Sequence, residues 1–194
     1  MRLLHFLLMS ILISTLGACT TPGNLRTDIR ELNKSFADTN RHSNLVVEFE
    51  LSPGILHTSR ETFVSGVFMS SAHDLDVGPI AIEMAKLVFS KLFEKVYIDP
   101  IDSILSDESF VLRLNAYAQA TNLSCKHTAT VKAMLIDQND TVLLETQSEN
   151  TVVYYECGKK EPMKRAFLRS YEEIALQIDH ILNGREFMPK DPGK

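Results

Sequence analysis

The sequence predicts an α+β fold: a two-layer sandwich with two helices packed on one face of a mostly antiparallel sheet. Several segments alternate apolar and polar residues, as half-buried strands do. Two others repeat apolar residues every three or four positions, as helices with one buried stripe do. The order is strand, strand, helix, strand, three antiparallel strands, helix. One buried face per element is satisfied by two layers around one core. The 194 residues are 44% hydrophobic and 23% charged, with no Trp. This globular composition excludes full-length disorder, collagen and coiled coil. The 20 basic and 25 acidic side chains give a net charge of −5, which argues against a nucleic-acid partner, since that needs a dense basic face.

The folded part begins after a leader. Arg2 is the only charged residue before Cys19, and residues 3–16 are almost wholly apolar. That run of about 14 residues is too short to span a hydrocarbon core of about 30 Å. A positive start, a short apolar stretch and small residues at its end form a secretory signal over residues 1–18. The next segment, 19–42, reads as a tether rich in Thr, Pro, Gly, Asn and Ser. Leu25, Ile29, Leu32 and Phe36 fall on one helical face within it, so it carries a short amphipathic helix or is a solvated linker.

The domain proper is read as 43–184. In residues 44–51, Leu45, Val47, Phe49 and Leu51 point one way, and Glu48 and Glu50 the other. Residues 63–69 form a second strand, apolar on both sides. Pro79 suits a first helical turn, and Ala81, Ala85, Val88, Phe89, Leu92 and Val96, widened by Ile82, Leu87 and Phe93, mark a helical face, with the helix over 79–94. Val96, Tyr97 and Ile98 form a short strand, and a helical turn is expected at 103–109. Strands follow at 110–119 and 128–136, with turn chemistry at Gln138-Asn139-Asp140. A return strand covers 141–146, a bulge is expected at Ser148–Asn150, and strand resumes over 151–156. The last helix starts near Pro162, with Met163, Phe167, Ser170/Tyr171, Ile174, Ile178 and Ile181/Leu182 in one stripe. Lys164, Arg165, Arg169, Glu172, Glu173, Gln177 and Asp179 lie off that stripe and read as its solvated side. Asn183-Gly184 stops the helix, and 185–194 reads as a loose tail.

Chemistry-bearing residues are scattered. The six His (His5, His42, His57, His73, His127 and His180) include no pair at helical metal-ligand spacing. His73, Asp74 and Asp76 cluster just before a helix start, where acids favour the dipole, so capping is the expectation rather than a metal site. No serine elbow or Gly-rich phosphate loop occurs. The adjacent acids Asp107/Glu108 and Glu172/Glu173 read as solvated surface. No catalytic residue, metal or cofactor is therefore expected. Tyr117, Tyr154 and Tyr155 lie on strands, either as core packing or as a recognition surface. Phe89, Phe93 and Phe167 are the rings that would line an apolar ligand pocket between helices and sheet.

Cys125 and Cys157 flank the hairpin and belong to no CxxC pair. In an oxidising compartment they read as a disulfide closing 33 residues, worth about 3–4 kcal/mol in the chain-entropy model; two separate buried thiols are the alternative. A hairpin centred on Gln138–Asn139 places Val152, not Cys157, opposite Cys125, so the pairing needs a bulge or a loose strand start.

Leu16-Gly17-Ala18-Cys19 resembles the lipobox of bacterial lipoproteins. The resemblance implies cleavage before Cys19 and acylation of its thiol and new amino terminus. The alternative is an ordinary signal peptide that leaves a free Cys19 thiol. Thr20, where an Asp would mark inner-membrane retention, implies an outer-membrane anchor facing the periplasm. The mature chain keeps 176 residues, with 19 basic and 25 acidic side chains and a net charge of −6. Its architecture resembles the lipopolysaccharide-assembly lipoproteins, the auxiliary lipoproteins of ABC-type lipid transport and the YajG-like lipoproteins. That implies a non-enzymatic accessory subunit of an envelope transport or secretion complex, with the membrane and an envelope protein as partners. A carrier of a small apolar ligand is the second expectation.

Overall fold

The sheet is built from strands whose apolar positions recur at every second residue. A computed structural model of the chain describes residues 23–49, 77–98, 109–121, 126–154 and 160–184. They contain three helices, α1 (Leu25–Ser35), α2 (Val77–Phe89) and α3 (Lys160–Asn183). The five strands are β1 (His42–Phe49), β2 (Phe93–Ile98), β3 (Ser109–Thr121), β4 (Lys126–Ile136) and β5 (Val142–Val153). The leader, Cys19, the strand read at 63–69, the turn read at 103–109 up to Ser109, Cys125, Cys157 and the tail lie outside the described residues.

The fold is α+β, but the sheet is mixed rather than mostly antiparallel. Its order is β2-β1-β3-β4-β5. β1 runs parallel to both neighbours, while β3, β4 and β5 form an antiparallel meander. The chain leaves the sheet on one side of β1 and re-enters on the other. Alternation along a strand fixes which face is buried, not which neighbour it pairs with. Val46 points away from Leu45 and Val47 yet is fully buried and lies outside the main core. β1 is therefore covered on both faces, the usual condition of a strand with parallel neighbours.

Along β3 and β4 the inward set is Leu112, Leu114 and Ala116 against Leu135, Ala133 and Val131. These join one core with Ile80, Ala81, Met84, Ala85, Val88 and Phe89 of α2 and Met163, Phe167, Tyr171, Ile174 and Ile178 of α3. Helix α2 stops at Phe89, short of Glu94. Lys91 and Leu92 N–H groups turn back to Val88 and Phe89 carbonyls at 3.0 Å each, and Phe93 pairs with His42 as the first residue of β2. Ile82 is an exposed position, with Ile80 and Met84 taking the core instead.

β5 continues unbroken through Ser148, Glu149 and Asn150, so no bulge lies there. The register shift sits beside the turn, between Leu135 and Ile136. Ser148 and Asn150 interrupt the apolar pattern because they face α3: Ser148 Oγ donates to Glu173 Oε2 of that helix, and Asn150 Nδ2 donates to Ser148 Oγ at 3.2 Å. The turn is held by Asp137, whose Oδ1 accepts from the N–H groups of Asn139 and Thr141 at 2.8 Å each. The Thr141 N–H bond is the leading reason its carboxyl sits below the ordinary range. Asp140 takes the left-handed conformation at φ 58°.

Three helices contribute, not two. α1 is capped by Asn24, whose side chain accepts from Thr27 N–H at 2.9 Å. Leu32 and Phe36 are buried in the common core, with Leu25 and Ile29 packed against it. At about 100° per residue, Arg165, Glu172 and Asp179 lie on the opposite side of α3 from Met163, Ser170 and Ile174. Those three charged residues are nevertheless buried, because α1 lies over them. The side of α3 read as solvated is thus an interface.

Candidate functional site

Two surfaces remain where functional side chains gather: the seam between α1 and α3, and the sheet face turned away from the core. In the seam, the Leu25 N–H donates to Glu161 Oε1 at 3.0 Å, satisfying a helix-start donor. Arg165, only 3% exposed, donates through Nε to Asp28 Oδ2 at 2.7 Å, and Arg169 Nη2 reaches Asp28 Oδ1 at 3.3 Å. Ser35 Oγ donates to Glu172 Oε1 at 3.0 Å and Thr39 Oγ1 to Asp179 Oδ2 at 3.4 Å. Asn183 Nδ2 bridges the Asn40 carbonyl at 3.3 Å and Asp179 Oδ1 at 2.6 Å. Partners rise together along both helices, so α1 and α3 run parallel. Arg165, Glu172 and Asp179 recur every seventh residue, as Asp28 and Ser35 do, the spacing that keeps one face of a helix on its neighbour. Gly23 lies close to the seam: a Cβ there would sit 2.8 Å from Arg165 Nη2.

The sheet face turned away from the core is formed by the alternate residues of β3, β4 and β5. Asn115, Lys132 and Gln147 make one cross-strand row, and Arg113, Met134 and Glu145 the next. They line an open groove of about 610 Å³. Arg113 Nε donates to Glu48 Oε2 at 3.0 Å. Beyond the groove, Tyr117 stands 46% exposed. Thr130 Oγ1 donates to Glu149 Oε2 at 2.9 Å, and the hydroxyls of Thr128 and Thr151 meet at 2.8 Å. Among the described strands, β2 and β5 are the edges. Val142 and Val153 are exposed at the ends of β5, with Glu145 and Glu149 between them, charges that discourage uncontrolled edge pairing. This face offers amide, ammonium and carboxylate groups with one aromatic ring.

The other sequence candidates fall as follows. Tyr117 is a surface residue, Tyr154 is half-buried just past β5, and Tyr155 lies outside the described residues. Phe89, Phe93 and Phe167 are fully buried and pack ring on ring. Phe89 and Phe167 each meet Tyr171 with centroids 5.8 Å apart, and Phe93 meets Phe110 at 5.9 Å. The grooves described in this protein are lined by other residues. Glu172 and Glu173 are not free surface acids but accept hydrogen bonds from Ser35 and Ser148. His127 faces inward, 2% exposed, and its burial lowers the imidazole pKa below the ordinary 6.5. His73, Asp74 and Asp76 lie outside the described residues. Among the described residues, no three His, Cys, Asp or Glu side chains converge as metal ligands, and no helix is long and apolar enough to cross a membrane.

Cys125 and Cys157 lie beyond the observed ladder, which pairs Lys126 with Val153 and His127 with Val152. The register is two residues out of step with a hairpin centred on Gln138–Asn139, which would have set Cys125 against Val152. Sequence reasoning missed the seam. The seven-residue recurrence of Arg165, Glu172 and Asp179, with apolar Leu168 and Ala175 between them, is the signal that marks it.

No known family model matches the chain, and no curated protein matches it. Several solved structures are similar in fold. The Xanthomonas campestris protein XCC0632, of family DUF330, is 12% identical, with 75% of this chain and 87% of that one covered and a TM-score of 0.47. The hypothetical protein CT253 of Chlamydia trachomatis is 12% identical over 75% of this chain and 100% of its own, with a TM-score of 0.41. A Caulobacter crescentus CB15 protein, provisionally named a lipoprotein, is 14% identical over 56% of this chain and 84% of its own, with a TM-score of 0.37.

Proposed function

We propose that this chain is an outer-membrane lipoprotein, anchored through acylated Cys19 and facing the periplasm. It acts as a non-enzymatic accessory subunit of an envelope transport or secretion complex. Its layers are α1, then α3 with α2, then the sheet, whose outer face receives the partner. The observation that carries the reading is the set of exposed side chains Arg113, Tyr117, Lys132 and Gln147, with half-buried Asn115 among them, on one face of the sheet. A sheet surface presents such side chains at fixed spacing, and a ring with low rotational entropy is a favoured anchor for a protein partner. The lipobox-like Leu16-Gly17-Ala18-Cys19 supplies the location, and two or more acyl chains give stable attachment.

Two measurements test it. Metabolic palmitate labelling is expected in the native chain and lost in Cys19→Ser; equal labelling of both rejects the anchor. A photo-crosslinker replacing Tyr117 or Lys132 is expected to trap one envelope protein in cells, while the same group at Lys86 on α2 traps none. Monomer alone at all three positions rejects the docking face. The carrier reading loses ground because Phe89, Phe93 and Phe167 fill the core instead of lining a cavity.

A further inference from the structure

The mature chain carries a net charge of −6, yet the outer side of α1 runs against that balance. Arg26 and Arg30 are exposed one turn apart. Neither has an ion-pair partner among the described residues. The nearby acids are already engaged: Asp28 by Arg165 and Arg169, Glu31 by Lys34 at 3.0 Å, and Glu83 by Lys164 at 2.7 Å. Beside these cations, half-buried Leu25 and Ile29 form an apolar ledge along an open groove of about 580 Å³ shared with Lys164. A second groove of about 450 Å³ runs on past Ile29, Arg30 and Asn33. Guanidinium groups over an apolar ledge match the boundary between lipid headgroups and acyl chains.

We infer that this face of α1 lies against the membrane that holds the anchor, with Arg26 and Arg30 meeting the phosphates of anionic phospholipids. The inference rests on the reading of Cys19 as the acylated residue. The six residue-to-residue steps from Cys19 to Leu25 reach at most about 20 Å fully extended, so α1 cannot move far from the bilayer. Its arginines point away from α3, and α3 turns its opposite side to the sheet. Seating α1 on the lipid therefore turns Tyr117 and Lys132 toward the periplasm. The anchor becomes an orienting device as well as an attachment.

Arginine-specific footprinting with phenylglyoxal tests this on the full-length processed protein, reconstituted alone into vesicles. One set is phosphatidylcholine; the other contains about one-third phosphatidylglycerol. In the anionic vesicles Arg26 and Arg30 are expected to react at least about five-fold more slowly than in the neutral ones. Salt at about 0.5 M should remove the difference, since screening acts within a few ångströms there. Arg113 on the sheet face should react equally in both. Mass analysis of the peptide bearing Cys19 runs in parallel. An acylated Cys19 with equal Arg26 and Arg30 rates in the two vesicles overturns the seating and leaves the anchor standing. Equal protection in both vesicles shows cover that does not depend on lipid charge, and also overturns it. An unacylated Cys19 overturns the anchor and the seating together.

Discussion

The Tyr171 hydroxyl is fully buried without a hydrogen-bond partner among the described residues, and its burial raises the phenol pKa far above the ordinary 10. Its ring contacts with Phe89 and Phe167 do not use the oxygen. Tyr171→Phe is expected to raise stability by about 1 kcal/mol in urea unfolding, because it removes an unsatisfied polar atom and keeps the ring; a loss of that size would reveal a partner for the hydroxyl. His127 is another buried polar outlier, its Nδ1 without a partner among the described residues. Its folded pKa lies below 6.5, so as pH falls through about 6.5 the unfolded chain takes up the proton before the folded one. Stability from this group is present above that pH and is lost progressively below it. His127→Gln should flatten the fall in unfolding midpoint between about pH 7 and pH 5. Neither orphan could be read from sequence. Tyr171 sits at a correct stripe position, and period alone does not say whether a hydroxyl meets a partner.

At the scale of elements, α1 changes how the chain divides. Composition marks 19–42 as a tether, and the four-residue apolar face of α1 is the only sequence sign of a helix there. The structure makes that face part of the core. Leu32→Ala should cost about 2–5 kcal/mol, as at any fully buried leucine; a solvated linker would show no change. The polar half of the seam has a different signature. Asp28→Ala strands the buried Arg165 and should cost about 3 kcal/mol, and adding Arg165→Met should recover most of that loss. Both are read by denaturant midpoint. Charged residues default to solvent in any reading of a single helix, so the seam was hidden behind Arg165, Glu172 and Asp179. The polar inner face of β5 misled in the same way, since Ser148 and Asn150 look like an interruption until Glu173 stands opposite them.

For the molecule as a whole, the number and placing of the described strands were legible because alternation is local. The parallel pairing of β1 was not, because neighbour choice is decided by connections across the sheet. The outer-face groove was equally hidden: Arg113, Lys132 and Gln147 are far apart in sequence and meet only through register. The ladder ends at Lys126 and Val153, one residue from Cys125 and four from Cys157. A non-reducing digest is expected to recover these cysteines linked, and reduction should lower stability by about 3–4 kcal/mol; two free thiols would reject the bond. The seam also bears on the order of assembly. Its hydrogen bonds join residues from 136 to 143 positions apart, nearly the longest separations this domain allows. Closing such distant contacts comes late in folding, and in a chain delivered from its amino terminus α3 arrives after every other described element. Until then Leu32 and Phe36 have no surface to bury them. A docked α1 therefore reports that α3 has been made and folded, and a molecule lacking α3 exposes Leu32 and Phe36, apolar side chains that mark it for proteases that remove unfinished proteins.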